Sequence, residues 1–193
     1  MHNETRSNDV GHSPTLRGLF GLEWDAPANT IRISPQLPAD WDHATLRRIP
    51  LAASAIDLEI QRVGPALFVR SVAGASATVH LESRVPGSAM TSGSLRIPLR
   101  TVEIGVSHAL PEPGAVTSQM KVLDQRYSPR SLTVQLSAPA GSTQTLFLRV
   151  NDDRVKVRSS DLSLPAGQKS LTNLQVIFPA GTGYLEKTVT LSW

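Results

Sequence analysis

Cysteine is absent from this chain of 193 residues, which excludes a disulfide framework, a thiolate zinc site and a cysteine nucleophile. Aromatic residues make up only 5%, and the formal net charge is only +3. So small an excess of positive charge is not the basic patch of a nucleic-acid-binding protein, and we expect no nucleic-acid partner.

No stretch approaches the roughly 20 apolar residues of a membrane helix, and residues 1–15 lack the apolar core of a signal peptide. We therefore expect no membrane partner, and the sequence leaves the localisation open.

What the sequence does contain is a regular alternation of apolar and polar residues. Apolar residues are 40% of the chain and charged residues 18%, a balance that supports a packed core. In "IDLEIQ", Ile56, Leu58 and Ile60 share one face of an extended chain. The same pattern recurs in "LTVQL", "TLFLRV" and "TVTLSW". A sheet with one wet face requires this alternation, so we predict an all-β fold, a two-layer antiparallel β-sandwich.

Turn signals rich in proline and glycine separate these stretches at the spacing expected of a sandwich. Examples are Gly64-Pro65, Pro86-Gly87 and Pro139-Ala140-Gly141. The alternation changes phase between Leu99 and Val102, next to Pro98, which predicts a bulge or a sheet edge there. The loops at 86–93 and 111–118 are the best candidates for an internal boundary.

The front of the chain departs from the strand pattern. Residues 16–22 resemble the apolar end of a buried helix, which breaks at Ala26-Pro27 before a strand begins. The predicted organisation is a disordered or frayed segment over 1–14, a terminal helix over 15–24 and a β-sandwich domain over 25–193.

None of the usual catalytic patterns is present in the sequence. Asp40 and Asp42 flank a tryptophan in a loop. Asp57 and Glu59 lie on the polar face of a predicted strand, where solvated carboxylates are expected rather than a catalytic pair. No G-x-S-x-G elbow occurs, and the histidines lack metal-ligand spacing. We therefore expect no catalytic residue, no metal site and no cofactor in this chain.

Two charged stretches each admit two interpretations. Residues 151–153 of "VNDDRV" suggest calcium, but three adjacent positions cannot supply the six or more oxygens that calcium needs, and a hairpin turn is favoured. Arg154, Lys156 and Arg158 alternate with valines. They are suited to binding an anion, although the charged outward face of a strand at a sheet edge is the favoured interpretation.

The few aromatic side chains have amphipathic faces that suit stacking on sugar rings. The candidates are Trp24, Trp41, Tyr127 and Tyr184. Packing in the core is the commoner role of a tryptophan beside leucine and proline, and we expect Trp41 to be structural.

The run "PTLRGLFGLEWDAPANTIRISPQLPADWDHATLRRIPL" resembles the exit from the catalytic barrel of six-hairpin glycosidases, the class of glycogen-debranching, trehalase-like and α-L-rhamnosidase enzymes. In that class a toroid of paired helices ends in a "GLLGL"-like sequence. An acidic-Ala-Pro turn follows, and then a strand that ends in a "P-x-L-P-x-x-W" segment. The matching residues are Gly18 to Leu22, Asp25 to Pro27 and Pro35 to Trp41. The acid and base of that family lie on barrel loops that would precede Leu16, so the resemblance carries over no catalytic residue.

The resemblance implies a non-catalytic C-terminal β-sandwich accessory domain, a fragment of a glycoside hydrolase of carbohydrate metabolism whose catalytic barrel is missing. It implies a surface that docks on that barrel in cis or in trans, formed by Leu16, Leu19, Phe20 and Leu22. If uncovered, this surface would favour self-association. Two other functions stay open. One is a stand-alone carbohydrate-binding module, which the low aromatic content disfavours. The other is an Ig-like scaffold or adhesion module, which would normally carry a secretion signal.

Overall fold

The computed structural model describes residues 17–51, 54–72, 79–107, 113–114, 117–167 and 169–193. In these residues the fold is all-β, as the alternation predicts, and the chain divides into two compact units, Met1–Leu99 and Arg100–Trp193. The expected single sandwich over 25–193 is thus replaced by two smaller units. The division follows Pro98, where the alternation changes phase, and the loop at 86–93 lies inside the first unit.

The first unit is built from two sheets around one core. Its strands are β1 (Glu23–Asp25), β2 (Thr30–Arg32), β3 (His43–Leu51), β4 (Ser54–Val63), β5 (Ala66–Val72), β6 (His80–Glu82), β7 (Ala89–Thr91) and β8 (Ser94–Pro98). The strand orders are β1-β2-β6 and β3-β4-β5-β8-β7. The pair β2–β6 is parallel, and the other pairs are antiparallel. Ile31 of β2 and Ile56, Leu58 and Ile60 of β4 belong to one buried cluster, so the two sheets share a core.

The second unit is a two-layer antiparallel sandwich. Its strands are β9 (Val102–Val106), β10 (Lys121–Ser128), β11 (Ser131–Pro139), β12 (Thr143–Val150), β13 (Arg158–Ser159), β14 (Leu171–Ile177) and β15 (Tyr184–Ser192). The strand orders are β10-β11-β15-β13 and β14-β12-β9. Leu132 and Val134 of one sheet and Leu146 and Leu148 of the other are completely buried in a common core. These are the residues that the period-two pattern places inward.

A helical turn precedes β1. The Gly21 N–H donates to the Arg17 carbonyl at 3.0 Å, and Gly21 has a φ of 54°. This bond to a left-handed residue is one of the standard ways in which a helix ends. The predicted helix over 15–24 therefore stops before Gly21, and Trp24 lies in β1 instead. The predicted frayed segment over 1–14 lies outside the described residues.

Candidate functional site

Residues 17–41, here called the entry segment, contain the motif that resembles the barrel exit of glycosidases. Two backbone hydrogen bonds join the helical turn at the start of this segment to the residues around Pro35. The Ser34 N–H donates to the Phe20 carbonyl at 3.1 Å, and the Gln36 N–H donates to the Leu19 carbonyl at 2.7 Å. The end of the helical turn is thus hydrogen-bonded to the beginning of the "P-x-L-P-x-x-W" part, so the motif forms one structural unit.

Gly21 is required for this contact by two independent constraints. Its φ of 54° lies in the left-handed region, where a Cβ is unfavourable. A Cβ built at this position would also lie 2.7 Å from the Ser34 carbonyl oxygen, too close for any side chain. The motif match singles out this glycine in the sequence, but the reason for it becomes visible only in three dimensions.

The acidic-Ala-Pro part forms the turn of the β1–β2 hairpin. The Ala28 N–H donates to Oδ1 of Asp25 at 3.3 Å, and the Asn29 N–H donates to the Ala26 carbonyl at 3.2 Å. Oδ2 of Asp25 also lies 3.3 Å from the Arg32 guanidinium. Asp25 therefore organises a turn, as Asp commonly does through its short side chain.

The four residues expected to dock on a barrel have a different environment. Phe20 and Leu22 are only 4% and 1% exposed, and they belong to the core of the first unit. Leu19 is partly buried against the same core, and Leu16 lies outside the described residues. The expectation that Phe20 and Leu22 form an uncovered surface is thus corrected, because the turn at Gly21 directs them into their own sheets.

The tryptophans proposed for sugar stacking are both partly buried against the core of the first unit. Trp24 pairs with Ile31 across the β1–β2 hairpin. The Trp41 N–H donates to the Pro38 carbonyl at 3.0 Å, and its own carbonyl accepts a bond of 3.1 Å from Nε of Arg62. These contacts favour the structural interpretation of Trp41.

The tyrosines lie in the second unit and already have cationic neighbours. The Arg100 guanidinium lies 3.9 Å from the ring centroid of Tyr127. Burial raises the pKa of the Tyr127 hydroxyl, against the opposing effect of the Arg100 charge. Lys121 lies over the ring of Tyr184 at 5.3 Å from its centroid. Since a cation occupies one face of each ring, that face is not open to a sugar.

The acidic pair on β4 makes structural contacts. Oδ1 of Asp57 accepts a bond of 2.6 Å from the Arg48 N–H, where β3 bulges between Leu46 and Ile49. Oε2 of Glu59 accepts a bond of 2.8 Å from Nε of Arg70. No group of three or more His, Cys, Asp or Glu residues that could hold a metal occurs in the described part of the chain.

In the turn at residues 151–154, the side chains of Asn151 and Asp152 make hydrogen bonds within the chain. Asn151 is 6% exposed, and its Nδ2 donates to the Arg100 carbonyl and to Oε2 of Glu103, each at 2.8 Å. Asp152 accepts bonds from Arg154, which lower its pKa to about 2. The predicted turn is present, but it does not form a hairpin. β12 belongs to one sheet, whereas β13 pairs with β15 in the other.

Comparisons with protein-family models, with curated proteins and with solved structures found no match for this chain. Among the described residues, no helix is long and apolar enough to cross a membrane.

Proposed function

We propose that this chain is a non-catalytic β accessory domain of a six-hairpin glycoside hydrolase that acts in carbohydrate metabolism. The observation that carries the proposal is the hydrogen-bonded joint of the entry segment. A helix end, a left-handed glycine and the "P-x-L-P-x-x-W" part are linked within one ordered structure. This is the arrangement expected where a helix leaves a barrel and enters a β domain.

The burial of Phe20 and Leu22 changes what such a domain presents to a barrel. These side chains anchor the end of the helix to the β domain. Contact with the barrel is then left to the exposed side of the helical turn, where Arg17 and Gly18 lie, and to whatever precedes it. The proposed role is to hold the last helix of the barrel at a defined position, since a buried anchor resists movement better than an exposed one.

The proposal is tested with the full chain and the helical barrel of a glycogen-debranching-type enzyme that lacks its own β domain. We expect the chain, added in trans or fused after the last barrel helix, to raise the thermal midpoint of the barrel. An unrelated β-sandwich of similar size serves as the control. The chain alone should release no sugar from glycogen, trehalose or rhamnosides.

Two results would contradict the proposal. Equal stabilisation by the unrelated sandwich, in trans and in the fusion, would show that the barrel does not recognise this domain. Reproducible sugar release by the chain alone, abolished by a single Asp or Glu substitution, would show that it is an enzyme.

A further inference from the structure

β14 is an edge strand, and two hydrogen bonds at its ends show which of its main-chain groups face the free side. The Val150 N–H donates to the Ser170 carbonyl at 2.8 Å, and the Phe178 N–H donates to the Ser142 carbonyl at 2.9 Å. Even-numbered residues of β14 therefore direct their main-chain groups to β12, because this direction alternates along an antiparallel strand. The odd-numbered residues direct theirs away from β12. These outward residues are Leu171, Asn173, Gln175 and Ile177.

The outward main-chain groups are almost without partners in the chain. In the described part of the chain, β14 has β12 as its one neighbour in the sheet β14-β12-β9. Within those residues, the single hydrogen bond to an outward main-chain group runs from Nζ of Lys187 to the Ile177 carbonyl, at 3.3 Å. A carbonyl has two lone pairs and can accept a second bond. Such a row of N–H and C=O groups is a template for pairing with another strand.

β14 differs from the other edge strands of the second unit, which carry features that oppose pairing. β10 contains charged residues and a bulge between Val122 and Asp124. β13 is only two residues long, and β9 carries Glu103. β14 has the seven-residue sequence "LTNLQVI", without charge or proline, and its register with β12 is unbroken. Since proteins usually protect an exposed edge by such features, an edge without them favours a strand partner.

The side chains of the outward residues form a pattern that is its own complement. Leu171 and Ile177 at its two ends are apolar. Asn173 and Gln175 between them carry amides, so the order is symmetric about Leu174. An antiparallel second copy, centred on the same leucine, would place leucine against isoleucine and amide against amide. Cross-strand pairs of this kind stabilise a sheet. They would also cover Ile177, whose 64% exposure is the highest among the large exposed hydrophobic side chains described.

We propose that β14 pairs with β14 of a second copy of this chain, antiparallel and with a twofold axis at Leu174. The sheet β14-β12-β9 then continues across the dimer, and each outward residue donates its N–H and accepts at its carbonyl. The match of the strand with itself favours a second copy over an unrelated extended peptide. Because strand pairing alone covers little surface, the dimer is weak and depends on concentration. This contact does not rest on the glycosidase proposal, so either can fail without the other.

The test begins with sedimentation equilibrium of the full chain at about 0.01 to 1 mM protein. We expect a monomer–dimer equilibrium with a dissociation constant within about that range, as for a small interface. No larger species should form through this contact, because a twofold contact is closed.

Charged variants locate the contact. Asn173→Lys/Gln175→Lys places like charges opposite each other and should weaken the dimer at least about tenfold. Ser128→Lys/Thr188→Lys adds the same charge at exposed positions of the other sheet, and it should leave the dimer unchanged. Mixing the first variant with Asn173→Glu/Gln175→Glu should restore association as a heterodimer. Thermal unfolding of each variant checks that the fold is retained.

Introduced thiols test the register, because the chain has no cysteine of its own. A mixture of Asn173→Cys and Gln175→Cys chains should form a disulfide heterodimer with diamide as oxidant, since hydrogen-bonded opposite residues have Cα atoms about 5.5 Å apart. Each variant alone should cross-link far less, because identical residues would be diagonal neighbours at about 7–8 Å.

Three results would overturn this proposal. A chain that is monomeric at about 1 mM would show that a second copy does not occupy this edge. An unchanged dimer in Asn173→Lys/Gln175→Lys would show that the copies associate through another surface. Cross-linking of Asn173→Cys alone that equals cross-linking of the mixture would show that the axis is not at Leu174.

Discussion

Gly21 lies so close to Ser34 that a Cβ on the glycine would be 2.7 Å from the serine carbonyl oxygen. The neighbouring Ser34 N–H donates to the Phe20 carbonyl. The close approach and the hydrogen bond occur at the same place, where the helical turn meets the chain that leads to Trp41. Any side chain at position 21 would therefore force the two segments apart and weaken the joint.

Replacement of Gly21 by alanine should destabilise the first unit by about 2–4 kcal/mol, from the left-handed backbone and from the forced displacement of Ser34. Gly18 is the matched control, since it is exposed and a Cβ there meets no atom within 4 Å. Gly18→Ala should be neutral or stabilising by up to about 1 kcal/mol, because alanine favours helix. Urea unfolding measures both, and equal effects would refute the constraint at position 21.

Phe20→Ser distinguishes a core residue from a docking residue. A buried phenylalanine costs about 3–5 kcal/mol when it is truncated, so we expect a large loss of stability. Val63 is 51% exposed in the same unit, and Val63→Ser should change stability by only about 0.5 kcal/mol. A Phe20→Ser protein of unchanged stability and greater solubility would show that this side chain faces a partner instead.

Trp41→Ala should lower stability by about 2 kcal/mol, roughly half the loss expected for a fully buried tryptophan, because Trp41 is only partly buried. The hydrogen bond from Nε of Arg62 to the Trp41 carbonyl is retained in the variant, because it uses the main chain of residue 41. Chemical denaturation gives the stability, and titration with neutral oligosaccharides gives the binding. Lost sugar binding at unchanged stability would identify Trp41 as a ligand platform.

Asn151→Asp should destabilise the second unit by about 2–4 kcal/mol at pH 7, since it replaces a buried donor by a charge facing Glu103. Asn151→Ala removes the donor without adding charge, so it should destabilise the second unit less than Asn151→Asp does. Thermal unfolding measures both variants, and equal losses would contradict the assigned contact with Glu103.

The Asp152 carboxyl should titrate at a pKa of about 2, because hydrogen bonds from Arg154 favour its charged form. Its contribution to stability is present at neutral pH and is lost as the pH falls through about 2. Arg154→Gln should return the pKa of Asp152 towards 3.8, the ordinary value of an aspartate, whereas Lys156→Gln should not. Carboxyl-carbon NMR measures each titration, and an unchanged value in Arg154→Gln would contradict the pairing.

The strands could be predicted because burial follows the side-chain alternation directly. Ile56, Leu58 and Ile60 share a face in the sequence pattern, and all are at most 1% exposed in the structure. The alternation does not determine which strands pair with each other. For that reason the change of phase near Pro98 predicted an irregularity, whereas the structure shows a division between two units there.

The candidate sites were harder to predict because they depend on contacts between distant residues. Nothing local in "VNDDRV" indicates that Asn151 would bond to the Arg100 carbonyl, or that the chain would then cross to the other sheet. Lys156 and Arg158 were visible as an alternating basic stripe. The structure places them beside Ser192 and Trp193, more than thirty residues away in sequence.

The parallel pair β2–β6 has a consequence for how the first unit folds. Thr30 pairs with His80, about fifty residues further along the chain, and β3, β4 and β5 form hairpins within that interval. Hairpins close quickly because their loops are short, whereas a long-range parallel pair must wait until the intervening chain is compact. The pairing of β6 with β2 should therefore form last in the first unit, after the β1–β2 hairpin and the hairpins of β3, β4 and β5.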